Sequence, residues 1–360
     1  MSEQLNASPQ NAPGFVSNAW YFVAGSKDLK PGGQIRQILF GQPILLGRKS
    51  DGDLFALRDI CPHRLAPLSS GRQVMENGET AIACPYHGWR FSTETGSCLR
   101  IPSQTEEQSL PLDGIGVGTY KIRESNGLVY LLWPGSEPET KAIQPPELGA
   151  LPASPGLILT ADFDSHIDHT TAGLMDPAHV GFVHNKWWWR PERTGLRRKE
   201  KAFEPRDFGW SISRHAPSDN SVAYKILGKD VTTEIHYQLP GYRWEIIESR
   251  NRRIVSLSCL VPVTEHKTRM TQVTWWENVM MATLLKPILK RFGREFLRQD
   301  QEIVGLQATN LPFEQRMLWI NDTDQQAKWY QALKREWLAC QAETRDFRNP
   351  IEPTVLRWMS

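Results

Sequence analysis

Short apolar runs separated by turn residues occupy the chain between Trp20 and Trp133. The pattern predicts short strands, with runs over 35–40, 43–47, 54–58, 82–84 and 128–133. Turn-forming segments punctuate these runs as hairpins require, namely Gly41-Gln42, Ser50-Asp51-Gly52 and Asn77-Gly78. This part of the chain is therefore predicted to form a small all-β domain.

A change of composition follows, because residues 134–156 contain six prolines in 23 residues, which is typical of a linker. Beyond it, the pattern predicts one antiparallel sheet with strands over 212–215, 224–227, 232–239, 244–247, 254–263 and 270–276. Helical spacing occurs around Pro177–Val183, from Leu284 to about Leu306, and over Trp329–Cys340. The predicted fold class is α+β: a flexible tail over 1–14, an all-β domain over 15–134, a linker over 135–156, and a catalytic domain of helices on an antiparallel sheet over 157–360.

Composition and charge exclude several classes of protein. Hydrophobic residues make up 40% and charged residues 23%, an ordinary globular balance. Lys and Arg number 42 against 40 Asp and Glu, so the net charge of +2 gives no basic excess for nucleic acid. Apolar runs fall far short of the roughly 20 residues of a membrane-spanning helix, and residues 2–14 contain no secretory signal. With five cysteines and no export signal, we expect a cytoplasmic protein with free thiols, and leave peripheral membrane association open.

Two short motifs each combine a cysteine with a histidine: Cys61-Pro-His63 and Cys84-Pro-Tyr-His87. One such pair alone would be read as a buried thiol and an ordinary imidazole. Two pairs on predicted turns indicate a metal site. A structural zinc is one alternative, although zinc sites more often place two cysteines together on one limb. One thiolate and one imidazole on each limb suit a [2Fe–2S] cluster in which two cysteines hold one iron and two histidines the other.

A second motif, Asp176-Pro-Ala-His179-Val-Gly-Phe-Val-His184, places an acid and two histidines within nine residues. Pro177 suits the first position of a helix, which would put Asp176 and His179 on one face. His179 and His184 would lie about 140° apart on a regular helix, so the helix must widen or end for both to reach one metal. The alternative is two unrelated histidines, one at a helix cap and one in the core.

Two histidines need a carboxylate to complete the facial triad of a mononuclear Fe(II) site. The candidates are Glu295, Asp300 and Glu302. Asp300 falls within an apolar stripe at three-to-four spacing, which consists of Phe292, Phe296, Ile303, Val304 and Gln307. A carboxylate there is costly unless it is paired or binds a metal, whereas Glu295 and Glu302 fall on other faces. We select Asp300 as the third ligand, with a structural salt bridge as the alternative.

Three segments carry a resemblance to the Rieske non-haem iron oxygenases. Cys61-Pro-His-Arg-Leu-Ala-Pro-Leu-Ser and Cys84-Pro-Tyr-His-Gly-Trp-Arg-Phe resemble the two cluster-binding loops, and Phe296-Leu-Arg-Gln-Asp300-Gln-Glu-Ile-Val resembles the segment that supplies the third iron ligand. The resemblance implies a Rieske [2Fe–2S] cluster with Cys61 and Cys84 on one iron and His63 and His87 on the other. It also implies a mononuclear Fe(II) held by His179, His184 and Asp300, with O₂ as co-substrate.

The resemblance gives Asp176 a separate role, as a bridge from His179 to His87 of the partner subunit. A carboxylate that accepts from two imidazole N–H groups orients both rings. Such a bridge implies a ring-shaped homo-oligomer, and the family expectation is a trimer. The chain departs from many relatives in one respect, since the Asn that they carry three or four residues before this Asp is replaced here by Gly173 or Ala172. A nearby Asn ligand is therefore not expected.

The implied activity is that of a terminal oxygenase component, which hydroxylates or oxidatively demethylates a hydrophobic or aromatic small molecule. No Gly-rich phosphate loop is visible, so NAD(P)H-derived electrons would come from a ferredoxin or a flavin-dependent reductase. The single-chain layout resembles the vanillate and dicamba monooxygenases or the pheophorbide oxygenase branch. A Rieske-type electron carrier with a vestigial second site is the alternative, and a zinc-binding interaction protein explains the Cys/His limbs less well.

Several features remain unassigned at this stage. His166 and His169 are interpreted as pocket or helix-edge residues, and Trp187, Trp188 and Trp189 either line an entrance or make core or subunit contacts. The basic run Arg190–Lys201 is read as a solvated face, with docking of an acidic ferredoxin or reductase as the alternative. The sequence leaves open the substrate, the reductase, and the choice among hydroxylation, demethylation and dioxygenation.

Overall fold

A computed structural model describes residues 14–105, 107–108, 111–135, 138–184, 196–217, 227, 230–314 and 316–360. The chain divides into two compact units. The boundary between them in the sequence falls between Ala142 and Ile143, inside the stretch predicted as a linker. Each unit is described by itself.

The first unit is all-β, as predicted. In its described residues the strands are β1 (Ala19–Gly25), β2 (Gln34–Leu39), β3 (Gln42–Arg48), β4 (Leu54–Arg58), β5 (Arg72–Glu76), β6 (Glu79–Ala83), β7 (Arg90–Ser92), β8 (Cys98–Arg100), β9 (Ile122–Ser125) and β10 (Leu128–Trp133). They form antiparallel sheets in the orders β1-β10-β9, β2-β3-β4 and β5-β6-β7-β8. The predicted turn Asn77-Gly78 joins β5 to β6, and both residues have the positive φ that such a hairpin requires.

Cys61 lies in the loop that follows β4, and Cys84 lies in the loop that follows β6. Both side chains are part of the hydrophobic core of this unit. Both cysteines pack in one buried cluster with Phe55, Ile82 and Phe91. The residues after each cysteine return toward the surface. The strands therefore fix the start of each loop, and the loops carry the histidines outward.

The second unit contains the predicted antiparallel sheet. Its described strands are β11 (Leu157–Phe163), β12 (Arg198–Arg206), β13 (Gly209–His215), β14 (Thr232–Gln238), β15 (Tyr242–Ser249), β16 (Arg252–Thr264), β17 (Lys267–Glu277) and β18 (Thr354–Met359). The order is β11-β17-β16-β15-β14-β13-β12-β18. Three strands toward the edges, β11, β12 and β18, were not predicted. Of the predicted strand 224–227, only Leu227 lies within the described residues, and it is helical.

The described helices are α1 (Ile167–Met175), α2 (Val180–Val183), α3 (Met280–Leu284), α4 (Lys286–Asn310) and α5 (Gln325–Glu343). The predictions of α4 and α5 are confirmed, but a helix beginning at Pro177 is wrong. Asp176 instead ends α1, with φ −70° and ψ 115°. A residue before proline is pushed out of the helical region, so Pro177 ends α1 at Met175, and the next helix begins at Val180.

Both long helices cover the same face of the sheet, as the strand register shows. One row of paired residues runs across it: Leu159, Gln272, Ser258, Arg243, Tyr237 and Trp210. At one end α4 lies so close that a Cβ on Gly293 would come 2.3 Å from Leu159 Cδ1. At the other end Trp210 packs against Trp329 of α5, with ring centroids 5.6 Å apart. The polar middle of the row lies between the two helices.

The short helix α1 lies between α4 and α5. Asp168 accepts two 2.7 Å hydrogen bonds from Lys334 of α5. On the other side, a Cβ on Gly173 would come 3.4 Å from Val304 of α4. Because α1 is held from both sides, the chain that leaves it at Asp176 starts from a defined position.

Candidate metal centres

The two Cys/His loops of the first unit share one backbone pattern. In the first, the Cys61 N–H donates to Ala66 O at 2.9 Å and the Leu65 N–H donates to Cys61 O at 2.9 Å. In the second, the Cys84 N–H donates to Trp89 O at 2.8 Å and the Gly88 N–H donates to Cys84 O at 3.0 Å. The two loops are thus equivalent turns, which is the arrangement expected of two limbs around one cluster.

The fourth residue after each cysteine adopts a left-handed conformation, with φ +59° at Leu65 and +71° at Gly88. Glycine takes this conformation without strain, whereas leucine does not. The turn is therefore retained in the first loop in spite of its side chain.

The histidines of the two loops lie together. The ring centroids of His63 and His87 are 4.6 Å apart, and His63 stacks on Trp89 at 4.7 Å with a 7° angle between the planes. Nδ1 of His87 is buried and has no hydrogen-bond partner among the described residues. A buried ring nitrogen without a partner is costly, and a metal ion would supply the missing interaction.

The protonation tendencies of this site also suit metal binding. Burial, together with the neighbouring Cys84, raises the pKa of the Cys61 thiol to about 11. The pKa of His87 is lowered by burial and by the nearby His63 and Arg64, so its neutral, ligating form is favoured. The buried thiols are all free, so no disulfide competes. Thiolates at such positions need a cation to become stable, which iron would provide.

The second motif brings its histidines together because α2 is only one turn long. His179 is the residue before α2, and His184 is the residue after it. The N–H groups of Phe182 and Val183 both donate to His179 O, which forms the turn. At His184 the backbone leaves the helical region, with φ −93° and ψ 38°. The expectation that the helix must widen or end is therefore met by its ending, and the ring centroids lie 5.4 Å apart.

Asp300 of α4 completes the group. Its Oδ1 lies 3.6 Å from Nε2 of His179 and 3.2 Å from Nε2 of His184. The ligand atoms of these three residues all lie within 4.8 Å of one another. Nε2 of His184 is buried and unpartnered by hydrogen bonding among the described residues. Two imidazoles and one carboxylate that converge in this way fit the facial triad of a mononuclear non-haem Fe(II) site.

The electrostatics of the three side chains are mutually supportive. Burial lowers the pKa of His179, but the Asp300 and Asp176 carboxylates outweigh burial and raise it overall. Burial likewise raises the pKa of Asp300, yet the neighbouring His179 and His184 imidazoles bring it below its usual value. The Asp300 carboxylate is therefore held in its charged form next to two imidazoles. A divalent cation bound there would replace the proton that these groups share.

The single-zinc alternative for the first motif finds no support in the geometry. Among the described residues, Cys61, His63, Cys84 and His87 do not bring three ligand atoms within 4.8 Å of one another, as the triad of the second unit does. One tetrahedral ion needs such a convergence, whereas a two-iron cluster spreads its ligands.

Asp176 contacts His179 through its main chain as well as its carboxylate side. The Nδ1–H of His179 donates to the main-chain carbonyl of Asp176 at 2.7 Å, and the nearest carboxylate oxygen is 3.8 Å from that nitrogen. The carboxylate Oδ1 instead accepts from the Ala178 N–H at 2.7 Å. The main chain of Asp176 therefore fixes the His179 ring.

Asp300 joins the two histidines, but the apolar stripe around it differs from the covered helix face that its spacing indicated. The stripe around it is not a buried core face, because Phe292, Phe296 and Ile303 are 41%, 39% and 46% exposed and only Val304 is buried. Phe296 stacks on the His184 ring with centroids 3.6 Å apart. The stripe is thus a half-open apolar surface next to the triad.

The remaining candidates are placed as follows. Glu295 and Glu302 both pair with Arg298 and do not join the histidines. His166 precedes α1 and its Nδ1 accepts from the Asp168 N–H at 3.1 Å, so its reading as a helix-edge residue is confirmed. Sequence reasoning missed Gln299, whose amide contacts His184 at 2.9 Å. Trp187, Trp188 and Trp189 lie outside the described residues, as do residues 190–195 of the basic run.

Comparison with known families agrees with this division into two centres. Residues 19–121 match the model of the Rieske [2Fe-2S] domain. Residues 163–339 match the vanillate O-demethylase oxygenase C-terminal domain. The chain belongs to the Rieske non-haem iron oxygenases. The first match contains all four cluster-loop candidates and the second contains the triad, so each proposed centre of the Rieske oxygenase falls within its own domain.

Individual relatives match part of their length. Over 190 residues, 51% of this chain, it is 32% identical to chlorophyllide a oxygenase of Arabidopsis thaliana, and this covers 32% of that protein. Over 172 residues, 47% of this chain, it is 34% identical to the oxygenase component of dicamba O-demethylase from Stenotrophomonas maltophilia, covering 48% of that protein. The matches therefore span less than half the length of these curated relatives.

Solved structures show the fold across nearly the whole chain. Dicamba monooxygenase bound to dicamba superposes with a TM-score of 0.71 at 21% identity, covering 91% of this chain and 99% of that one. NdmA of Pseudomonas putida CBB5, a QL mutant with caffeine, gives 0.69 at 18% identity, covering 94% and 96%. Among the described helices of this Rieske oxygenase, none is long and apolar enough to cross a membrane.

Proposed function

We propose that the protein is the terminal oxygenase component of a Rieske-type system, which uses O₂ to hydroxylate or oxidatively demethylate a hydrophobic or aromatic small molecule. The observation that carries this proposal is the convergence of His179, His184 and Asp300 in a chain that also has a Rieske domain. An electron carrier would need only the first centre.

We assign Cys61 and Cys84 to one iron of the [2Fe–2S] cluster and His63 and His87 to the other. His179, His184 and Asp300 would hold the mononuclear Fe(II). When bound, the cluster supplies single electrons and the mononuclear iron supplies O₂-activating redox chemistry. Asp176 is proposed to connect His179 with His87 of the partner subunit, in a homotrimer.

The residues of the chain itself perform three tasks at the triad. The main-chain carbonyl of Asp176 holds the proton of His179 on Nδ1, so that Nε2 faces the metal position. Asp300 places one oxygen, Oδ1, toward both imidazoles and provides the negative charge. The Phe296 ring covers one face of His184 and keeps water from it.

An apolar substrate is supported by the surface of α4 next to the triad. Phe292 and Phe296 are large, exposed side chains one helical turn apart, and Ile288 continues the same stripe. Exposed apolar surface of this kind is typical of a ligand-binding region. The relatives include proteins named as a dicamba O-demethylase and a chlorophyllide a oxygenase, which supports demethylation or oxygenation of a small organic molecule here.

Polar groups on the sheet could orient such a substrate. Between α4 and α5, the Ser258 hydroxyl donates to Gln272 Oε1 at 2.6 Å, and Gln272 Nε2 donates to Ser256 Oγ at 2.5 Å. Ser256 is an acceptor in this contact, so its own hydroxyl hydrogen remains to donate to a substrate oxygen. A largely apolar substrate with one oxygen-containing group fits this combination.

The electron donor is proposed to be a ferredoxin or a flavin-dependent reductase. His63, at the tip of the first cluster loop, is exposed, as are Arg64 and Leu65 beside it. A protein partner can therefore approach the cluster position. We propose a cytoplasmic location, supported by five free cysteines.

The proposal is tested by measuring iron and acid-labile sulfide on anaerobically purified protein, followed by one turnover with ¹⁸O₂. We expect about three irons for two sulfides per chain, and label in the product of an apolar aromatic substrate. About two irons for two sulfides, with no further Fe(II) taken up, would make the protein an electron carrier. Zinc without sulfide would contradict both assignments.

A further inference from the structure

One face of α4 touches the His184 ring at three positions. Phe296 stacks on the ring, Asp300 faces its Nε2, and Gln299 faces its Nδ1 at 2.9 Å. Residues three and four apart lie on the same face of a helix, so a single element contacts the histidine at both nitrogens and on its flat side. Of these contacts, the Gln299 amide has no role in the proposed function so far.

The direction of the hydrogen bond between Gln299 and His184 follows from the groups behind it. Arg298 donates to both oxygens of Glu295, at 2.7 and 2.8 Å. A carboxylate held in such an ion pair only accepts hydrogen bonds. The group of Gln299 that contacts Glu295, at 3.3 Å, must therefore be its NH₂. The amide oxygen is then turned toward His184.

An amide oxygen can only accept, so the proton of a neutral His184 must be on Nδ1. Nε2 then carries a lone pair, and it is this atom that faces Asp300 without a hydrogen-bond donor among the described residues. Both side chains are buried, with 1% exposure at His184 and 8% at Gln299, so water does not compete for the amide. The relay Arg298, Glu295, Gln299 and His184 thus has one consistent polarity.

We propose that Gln299 is a positioning residue, which sets the tautomer and the orientation of His184 so that Nε2 is presented to the metal. This rests on the proposed function, because it assumes that the triad holds iron. The main-chain carbonyl of Asp176 orients His179 in the same way, and a side-chain replacement does not remove that carbonyl. Gln299 is therefore the side chain on which the geometry of the second histidine depends.

The test compares Gln299→Met, Gln299→Glu and a control, Gln301→Met. Methionine keeps the approximate shape of glutamine but is only a weak acceptor for the Nδ1–H of His184, whereas glutamate is a strong one. Gln301 is in the same helix, and its amide donates at 2.7 Å to Asp162 O, away from the histidines. The mononuclear site is emptied with a chelator under conditions that retain the visible spectrum of the cluster. Fe(II) is then titrated anaerobically, and the EPR spectrum of its nitric oxide adduct is recorded.

We expect Gln299→Met to weaken Fe(II) binding by roughly 10- to 100-fold and to alter the EPR spectrum of the adduct. Gln299→Glu should retain more Fe(II) affinity than Gln299→Met, because its carboxylate still accepts from Nδ1 although it also faces Glu295, and Gln301→Met should resemble wild type in both measurements. Wild-type affinity and spectrum in Gln299→Met, or equal losses in Gln299→Met and Gln301→Met, would overturn the role of Gln299 and leave the proposed function standing. Absence of a second iron in the wild-type protein would overturn both.

Discussion

A methyl group added at each of two glycines of α4 should have opposite effects on stability. Both Gly293 and Gly305 lie inside this helix, where replacing glycine by alanine gains about 1 kcal/mol of helix propensity. Among the described residues, a Cβ at Gly305 would meet nothing within 4 Å, so Gly305→Ala should keep the whole gain. A Cβ at Gly293 would lie 2.3 Å from Leu159 Cδ1, far inside van der Waals contact.

The cost at Gly293 should exceed the gain. Leu159 is buried in β11 at 5% exposure, so its side chain has little room to move aside, and overpacking of this kind costs about 1–3 kcal/mol. We therefore expect Gly293→Ala to lie between neutral and about 2 kcal/mol destabilised, and Gly305→Ala to be stabilised by about 1 kcal/mol. For a domain of this size, 1 kcal/mol corresponds to about 2–4 °C in the unfolding temperature.

Urea unfolding followed by tryptophan fluorescence, together with thermal unfolding, would measure this difference. Combining Gly293→Ala with Leu159→Ala removes the clashing methyl group, so the two changes should interact favourably by at least 0.5 kcal/mol in a double-mutant cycle. Iron retention gives a second measurement, since Asp300 lies two turns after Gly293 and moves if α4 is lifted. Equal stability of the two glycine variants would refute the reasoning, as would strict additivity in the cycle.

Three further outcomes are expected. Asp300→Ala should lose the second iron and keep the visible cluster spectrum, whereas Glu302→Ala should keep both; retention of that iron in Asp300→Ala would place the ligand elsewhere. Asp176→Asn should keep both metals, because the main-chain carbonyl is unchanged, yet slow the reoxidation of the reduced cluster by O₂ with substrate, and a normal rate would exclude the bridge. Asp162→Asn should cost up to about 1 kcal/mol at pH 7, because the hydrogen bonds from Arg269 lower the pKa of this partly exposed carboxyl. That stabilisation is complete above roughly pH 4, the unfolded-state pKa, and is lost as the pH falls through the lower folded-state pKa. Acid unfolding of wild type and Asp162→Asn should therefore converge at low pH, and a stability difference that persists there would contradict the prediction.

The central strands of the large sheet could be predicted because apolar residues recur along them, as expected of strands with one buried face. At β12 this signal is absent, since Arg198, Lys199, Glu200 and Lys201 follow one another with no apolar residue. This strand exists because β13 and β18 both offer unpaired backbone groups beside it. Pairing of that kind depends on segments far away in the sequence, and no local pattern records it.

The candidate site shows the same limit. Its ligand types and spacings predicted the residues that meet, but the surroundings of Asp300 were misjudged, because a run of apolar residues does not reveal whether anything covers it. Helix α1 was missed, since its sequence combines three threonine or glycine residues with polar ones. Gln299 could not be identified as a partner of His184, which is 115 residues away. The only indication in the sequence is that Gln299, which has an amide side chain, directly precedes the candidate ligand Asp300.

The sparse packing of α4 has a consequence for the metal-free protein. Along 25 residues, only Leu297, Gln299 and Val304 are buried, and two of these are within three residues of Asp300. An ion at the triad would therefore act as a cross-link between two segments more than 100 residues apart, closing a long loop of chain. The helix would be clamped at its middle, with its first turns left to fray. Metal occupancy would then set the mechanical stiffness of the apolar surface that the helix presents, and amide hydrogen exchange along α4 would be a direct gauge of whether the centre is loaded.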